Sequence, residues 1–274
     1  MRKVGVALGG GGAKGLAHIS MLEVLDELAI RPHRISGTSI GAIMGALYAS
    51  GKSAKLMREG IAELTASPKS FKELIDARQL PAWIEFIGVD VGRGSLLRVD
   101  RFLSELEKIL GVSSFEGLSI PLAVVATDFW ARQAVVFDSG PIIPAVAASF
   151  ALPGIFKPVV LDGRVLVDGG SVNPLPYDLL TEPCDVVVAI DVSGVRRPKV
   201  DLLPSYSEMI FNTFQIAEHT ILHEKMKACS PSIYIAPEIE DVRVLEFHKA
   251  DQIHEQTRPA RDQLRRELEA LLDR

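Results

Sequence analysis

Residues 4–15 read VGVALGGGGAKG and residues 37–41 read GTSIG. The first stretch is a short apolar strand, Val4 to Leu8, running into five glycines within the seven positions Gly9 to Gly15. A loop so poor in side chains can turn bare backbone N–H groups towards a negative charge. The helix expected from Lys14 to Leu28 adds its positive N-terminal end. The second stretch is Gly-x-Ser-x-Gly. It holds a serine hydroxyl on a sharp turn between a strand, Arg34 to Ser36, and an Ala- and Gly-rich helix, Ile40 to Ser50; Gly37 and Gly41 remove side chains that would collide there. One segment supplies a nucleophile, Ser39, and the other an oxyanion hole in the glycine loop. The pair predicts a serine hydrolase.

Other readings of these motifs weigh less. Gly10-x-Gly12-x-x-Gly15 after a strand fits the dinucleotide-binding pattern, which also needs an acid about 20 residues further on. That region is His33-Arg34-Ile35-Ser36-Gly37, without an acid. A phosphate-binding P-loop needs Lys and then Ser or Thr after its last glycine, where this chain has Leu16. Gly-x-Ser-x-Gly alone also arises by chance in small-residue loops, so the strand before it and the helix after it matter.

Outward from these motifs, strand-like and helix-like segments alternate. Strands are expected at Ile120–Thr127, Ala134–Phe137, Val159–Leu161, Arg164–Val167 and Asp185–Asp191. Helices are expected at Lys52–Ala66, Asp100–Leu110, Tyr206–Lys227 and Thr257–Leu272. In Tyr206–Lys227 the residues Ile210, Phe214, Ala217 and Ile221 align on one face. Such alternation implies an α/β fold with a mostly parallel sheet covered on both faces. At 274 residues the chain can bury its core as a single domain, 1–274. Its core motifs lie in 4–192 and a helical part in 204–274. Residues 68–98 are irregular and apolar, with Phe71, Trp83, Phe86 and Ile87. They read either as a segment covering a substrate channel or as an insertion packed on the sheet.

Hydrophobic residues make up 47% and charged residues 24%, ordinary for a water-soluble globular protein. A net charge of −5 argues against a nucleic-acid binder, whose footprint is a concentrated basic surface. Cys184 and Cys229 have neither metal nor redox spacing and read as reduced thiols. The start, MRKVGVALGGGG, breaks into glycines before a signal-peptide core forms. The uncharged run from Ser139 to Phe156 is cut by Pro141, Pro144 and Pro153 and reads as a buried connector rather than a membrane span. A cytoplasmic protein that meets lipid only from the water side, by transient contact at the membrane periphery, is the expectation.

The base that would take the Ser39 proton stays open on these grounds. His219, His223, His248 and His254 lie in charged or helical surroundings that suit solvated or packing histidines. His219 and His223 have metal-ligand spacing, but Thr220 stands where a zinc protease has glutamate. Three aspartates end apolar strands: Asp128, Asp168 and Asp191. Only Asp168 is followed by two glycines, Gly169 and Gly170, although strand-end aspartates are more often turn formers.

Four motifs in order, GGGAKG at 10–15, GTSIG at 37–41, ASFALP at 148–153 and DGG at 168–170, resemble the patatin-like phospholipase family. The likeness continues through Val172-Asn173-Pro174-Leu175-Pro176 and covers roughly 4–192. It implies a three-layer α/β/α fold and a Ser-Asp dyad without a catalytic histidine. By position Ser39 is similar to the family's nucleophile, Asp168 to its base, and Gly10, Gly11 and Gly12 to its oxyanion loop. Lys14, Gly15, Gly37, Gly41, Pro153, Gly169 and Gly170 match supporting positions. The resemblance further implies a lipid or acyl-ester substrate such as a phospholipid or lysophospholipid, and neither metal nor cofactor. A low-turnover regulatory or lipid-binding protein on the same fold is the alternative. Thr127-Asp128-Phe129-Trp130-Ala131 departs from the family's Thr-Gly turn, and Ser232 stands where many relatives carry an acid. Both departures bear on substrate preference.

Overall fold

The computed structural model describes residues 2–65, 100–194, 203 and 206–272. The segment 68–98, including Trp83, lies outside the described residues. Within them an eight-stranded sheet carries the site: β1 (Val4–Leu8), β2 (Arg34–Thr38), β3 (Leu122–Asp128), β4 (Gln133–Phe137), β5 (Val159–Leu161), β6 (Arg164–Asp168), β7 (Val186–Ile190) and β8 (Ile233–Ile235). β3, β2, β1, β7 and β8 are parallel neighbours, β4 and β6 each pair antiparallel with β3, and β5 pairs antiparallel with β6.

Strand alternation divides the core. Val4, Val6 and Leu8 face the larger apolar layer, with α1 (Ala17–Glu27), α2 (Ile40–Ala49), α4 (Asp100–Leu110), α5 (Ile142–Ser149) and α8 (Arg258–Leu272). α3 (Ala54–Thr65) packs on α1 in the same layer. Ala7, Val187 and Ala189 face a second layer built from Leu175, Tyr177, Leu180 and Leu222 of α6 (Tyr206–Ala228). Helices therefore cover both faces of the sheet, as a nearly continuous run of apolar parallel strands requires.

The expected helix from Lys14 begins as a tight 3-10 turn, Gly12–Leu16, before α1. The run expected to be a connector contains α5 instead. Pro141 caps it and Pro144 sits in its first turn, where a missing N–H breaks no helical bond. In α6 the aligned face is not the buried one: Ile210 is 49% exposed, whereas Leu222 packs on the sheet. That helix carries apolar residues around most of its circumference, so periodicity there does not select a face. α7 (Ala250–Gln256) was not among the expected elements.

One feature of the sheet positions the site. β4 pairs with β3 over Val124–Asp128, overlapping the stretches used by both β2 and β6. β2 and β6 must therefore share the other edge of β3, β2 alongside Leu122–Val125 and β6 alongside Ala126–Asp128. They run towards each other and stop at consecutive registers, Thr38 opposite Val125 and Asp168 opposite Ala126.

Candidate active site

Ser39 stands where β2 hands over to α2, with φ at 57°. A non-glycine residue held there costs about 1–3 kcal/mol, which the surrounding packing must offset. The packing is close. A Cβ on Gly37 would lie 2.6 Å from the Gly41 carbonyl oxygen, and one on Gly41 would overlap the Leu8 carbonyl, so both sides of the Ser39 turn take only glycine at these positions. Ser39 N–H donates to Ser149 Oγ at 2.9 Å, and Ser149 Oγ donates to the Val125 carbonyl at 2.6 Å. These bonds tie the turn to α5 and β3 and leave the hydroxyl half-buried at the positive end of α2.

Because β2 and β6 meet end to end, Ser39 Oγ donates to Asp168 Oδ2 at 2.6 Å. Asp168 is 2% exposed. Its Oδ1 accepts Gly170 N–H at 2.8 Å, its amide donates to the Ala151 carbonyl, and its carbonyl accepts Thr127 Oγ1. Burial pushes its carboxyl up to about 6, against the two hydrogen bonds that favour the charged form. A Cβ on Gly169 would overlap the Val125 carbonyl, so the chain leaves β6 without room for a side chain. The other strand-end aspartates serve turns. Asp128 accepts the amides of Trp130 and Ala131, and Asp191 accepts Ser193 N–H and the Tyr234 hydroxyl.

The glycine loop runs beside this pair. A Cβ on Gly10 would touch the Ser39 Cβ at 3.4 Å. The Gly10 amide itself is taken by the Pro174 carbonyl at 3.0 Å. Of the three glycines read as an oxyanion hole, Gly11 and Gly12 therefore keep amides that no acceptor among the described residues takes. Gly12 has φ at 59°, and a Cβ there would sit 2.5 Å from the Val244 carbonyl oxygen. Lys14 is buried and donates to the Ser193 carbonyl. It acts as a strut between the loop and the chain after β7. Gly15 lets the loop lie against Ile40, and Pro153 sits exposed in the turn after α5.

Among the described residues no histidine bonds Ser39 or Asp168. His219 and His223 stack on the outside of α6, and His248 is exposed. His254 pairs with Ser20, and buried His18 bonds the Gly9 carbonyl, with burial lowering each ring to about 4. Two polar residues that the motifs do not single out also belong to the site. Ser149 lies inside the ASFALP motif, but a serine among alanines signals nothing by itself. The second, Glu218 of α6, packs against Gly170 beside Asp168 Oδ1. Burial and then the charges of Asp168 and Asp191 push its carboxyl up to about 8, opposed by Lys14. Ile155 anchors an apolar cluster with Leu152, Phe156, Phe211, Val244 and Leu245, which reaches the glycine loop through Val244.

The patatin-like phospholipase family model matches residues 6–181, which contain the glycine loop, Ser39, Ser149 and Asp168 but not Glu218, Phe211, Val244 or Leu245. The chain belongs to that family. Its three-layer α/β/α sheet is the patatin fold. An uncharacterised NTE family protein of Mycobacterium bovis is 34% identical over 193 residues, 70% of this chain and 49% of that protein. The protein named lysophospholipase NTE1 of Kluyveromyces lactis is 27% identical over 276 residues, 92% of this chain and 18% of its own length. The chain thus spans about half or less of these patatin-like relatives. The crystal structure of VipD from Legionella pneumophila aligns with a TM-score of 0.47 at 16% identity, over 96% of this chain and 67% of that one. Among the described residues no helix is long and apolar enough to cross a membrane.

Proposed function

We propose that this protein is a serine acyl-ester hydrolase acting on phospholipids or lysophospholipids through an acyl-Ser39 intermediate, with Asp168 as base. The observation that carries the reading is the 2.6 Å hydrogen bond from Ser39 Oγ to a buried carboxylate. An aspartate near its ordinary value of about 3.9 is a feeble base, whereas one raised to about 6 is ionised at neutral pH and still accepts a proton.

Asp168 takes the Ser39 proton as Oγ attacks the ester carbonyl carbon. The negative charge that moves to the carbonyl oxygen meets the Gly11 and Gly12 amides and the N-terminal end of α2. Collapse of the tetrahedral state breaks the bond to the leaving alcohol, which takes the proton from Asp168. A water then gives a proton to the same carboxylate as it attacks the acyl carbon. Ser39 leaves with that proton and the fatty acid is released. The apolar cluster of Leu152, Ile155, Phe156, Phe211, Val244 and Leu245 beside the glycine loop suits an acyl chain. The name of the Kluyveromyces relative supports a lysophospholipid among the substrates.

Replacing Ser39 by Ala removes the nucleophile and leaves the fold. Turnover of phospholipid, lysophospholipid and p-nitrophenyl esters should fall at least about a thousandfold, and labelling by a fluorophosphonate should vanish. Turnover close to wild type in Ser39→Ala overturns the reading. Wild-type protein that neither turns over an ester nor takes the fluorophosphonate is instead a binding protein on this fold.

A further inference from the structure

The turn between β3 and β4 carries two large aromatic side chains that nothing covers among the described residues. Phe129 is 50% and Trp130 75% exposed, with ring centroids 4.9 Å apart and edge to face. Exposed aromatics on a floppy loop would mean little, but this turn is held firmly. Asp128 Oδ1 accepts the amides of Trp130 and Ala131, the Asp128 carbonyl accepts Arg132 N–H, and Phe129 N–H donates to the Val165 carbonyl. The last bond fastens the turn to the β5–β6 hairpin. There Val160 pairs with Val165 and is itself 73% exposed. Two adjacent tips therefore present Phe129, Trp130 and Val160 to solvent, flanked by exposed Arg132 and Arg164 and one acid, Asp162.

The position of these tips narrows what they meet. Asp168 pairs with Ala126, and β3 runs two residues further, to Asp128, so the turn that carries Phe129 and Trp130 starts roughly 7 Å beyond the Ser39–Asp168 pair at strand rise. They project from the same end of the sheet as the hydroxyl. An ester held in a bilayer reaches a half-buried serine only if that end of the sheet faces the bilayer. Aromatic rings at a convex tip, with guanidinium groups beside them, match the boundary between head groups and acyl chains, where one side is apolar and the other wet.

We infer that the Phe129–Trp130 turn, with Val160, is a lipid-surface anchor that seats the carboxyl end of the sheet on a membrane. This rests on the hydrolase reading for its purpose but not for its test. The tips carry only one arginine in excess of acid and the whole chain is −5, so ring insertion rather than attraction to anionic lipid holds the protein there.

The chain has two tryptophans, so Trp83→Phe leaves Trp130 as the only indole. Titrated with phosphatidylcholine vesicles, that variant should show a blue shift in emission, and vesicles with brominated acyl chains should quench it. Adding phosphatidylglycerol or salt should change the partition little. In the full chain, Phe129→Ser with Trp130→Ser should lower vesicle partition about tenfold or more, while turnover of monomeric p-nitrophenyl butyrate stays at the wild-type rate. Trp130 emission that ignores vesicles, or a double variant that partitions like wild type, overturns the anchor. So does a double variant that loses self-association in sedimentation while keeping its lipid binding, because the tips would then be a protein interface. The hydrolase reading fails separately, if Ser39→Ala leaves p-nitrophenyl turnover intact, and that result does not touch the Trp130 signal.

Discussion

Asp168 accepts the Ser39 hydroxyl and Glu218 packs beside Asp168, and the order in which the two carboxyls ionise sets how the site responds to pH. Asp168 is raised to about 6 by burial, so it holds a proton below that pH and cannot accept one from Ser39. The ratio kcat/KM should therefore fall with falling pH through about 6, tenfold per unit once Asp168 is protonated. Glu218 is raised to about 8, so between the two values it stays neutral beside an ionised Asp168. Above about 8 it gains a charge, with Asp168, Asp191 and Lys14 as its charged neighbours. In the proposed attack step negative charge moves from Asp168 towards the glycine loop. A second anion next to Asp168 favours that movement, and kcat/KM should rise again through about 8. In Glu218→Gln the acid limb should persist and the upper rise vanish, with rates near wild type at pH 7. Identical profiles for the two proteins from pH 5 to 9 would show that Glu218 is electrically silent in the reaction. The motifs give no access to this pair. Glu218 is one acid among several on a long helix, and only the contact of α6 with Gly170 brings it near Asp168.

At the scale of elements, the readable part is where a physical need leaves its mark on residue type. β1, the glycine loop and the Ser39 turn are legible because each close approach demands glycine, as at Gly41 against Leu8. Among Asp128, Asp168 and Asp191, the two glycines after Asp168 leave the same mark, with Gly169 against the Val125 carbonyl, but all three end buried strands and the mark does not say which carboxylate meets Ser39. What separates them is the antiparallel register of β6 along β3, a long-range pairing that local alternation does not encode. The spent Gly10 amide is equally hidden, since its acceptor, the Pro174 carbonyl, lies far along the chain. The apolar cluster beside the loop has the same character, assembled from the turn after α5, one residue of α6 and the segment before α7. Phe211 and Phe156 are the two phenylalanines there, and both lie outside the four sequence motifs. Phe211→Ala should lower kcat/KM for a hexadecanoyl ester about tenfold, about 1.4 kcal/mol of lost apolar contact, and leave a butanoyl ester almost unchanged. Equal losses on both esters would place the acyl chain elsewhere.

Across the whole molecule, stability and chemistry draw on different parts of one core. The alternation of strands and helices made the layered sheet readable, while the larger apolar layer depends on how distant helices close over it. α8 is the clearest case. Its Ala260, Leu264 and Leu268 are buried and it packs on α1 and β8, whereas Ser39, Asp168 and Ser149 are held by β2, β3, β6 and α5. No hydrogen bond described at the serine passes through α8. A cavity in that helix should therefore lower the folding free energy without moving the reacting atoms. Leu268 is fully buried, so Leu268→Ala should cost about 2–5 kcal/mol. For a chain of this size that corresponds to a fall in Tm of order 10 °C. At 25 °C, well below the transition, kcat on a p-nitrophenyl ester should match wild type, and the midpoint in urea should shift without a change in slope. A parallel loss of kcat in protein that remains fully folded would mean that the packing of α8 reaches the elbow after all, and that support and site are not separable in this fold.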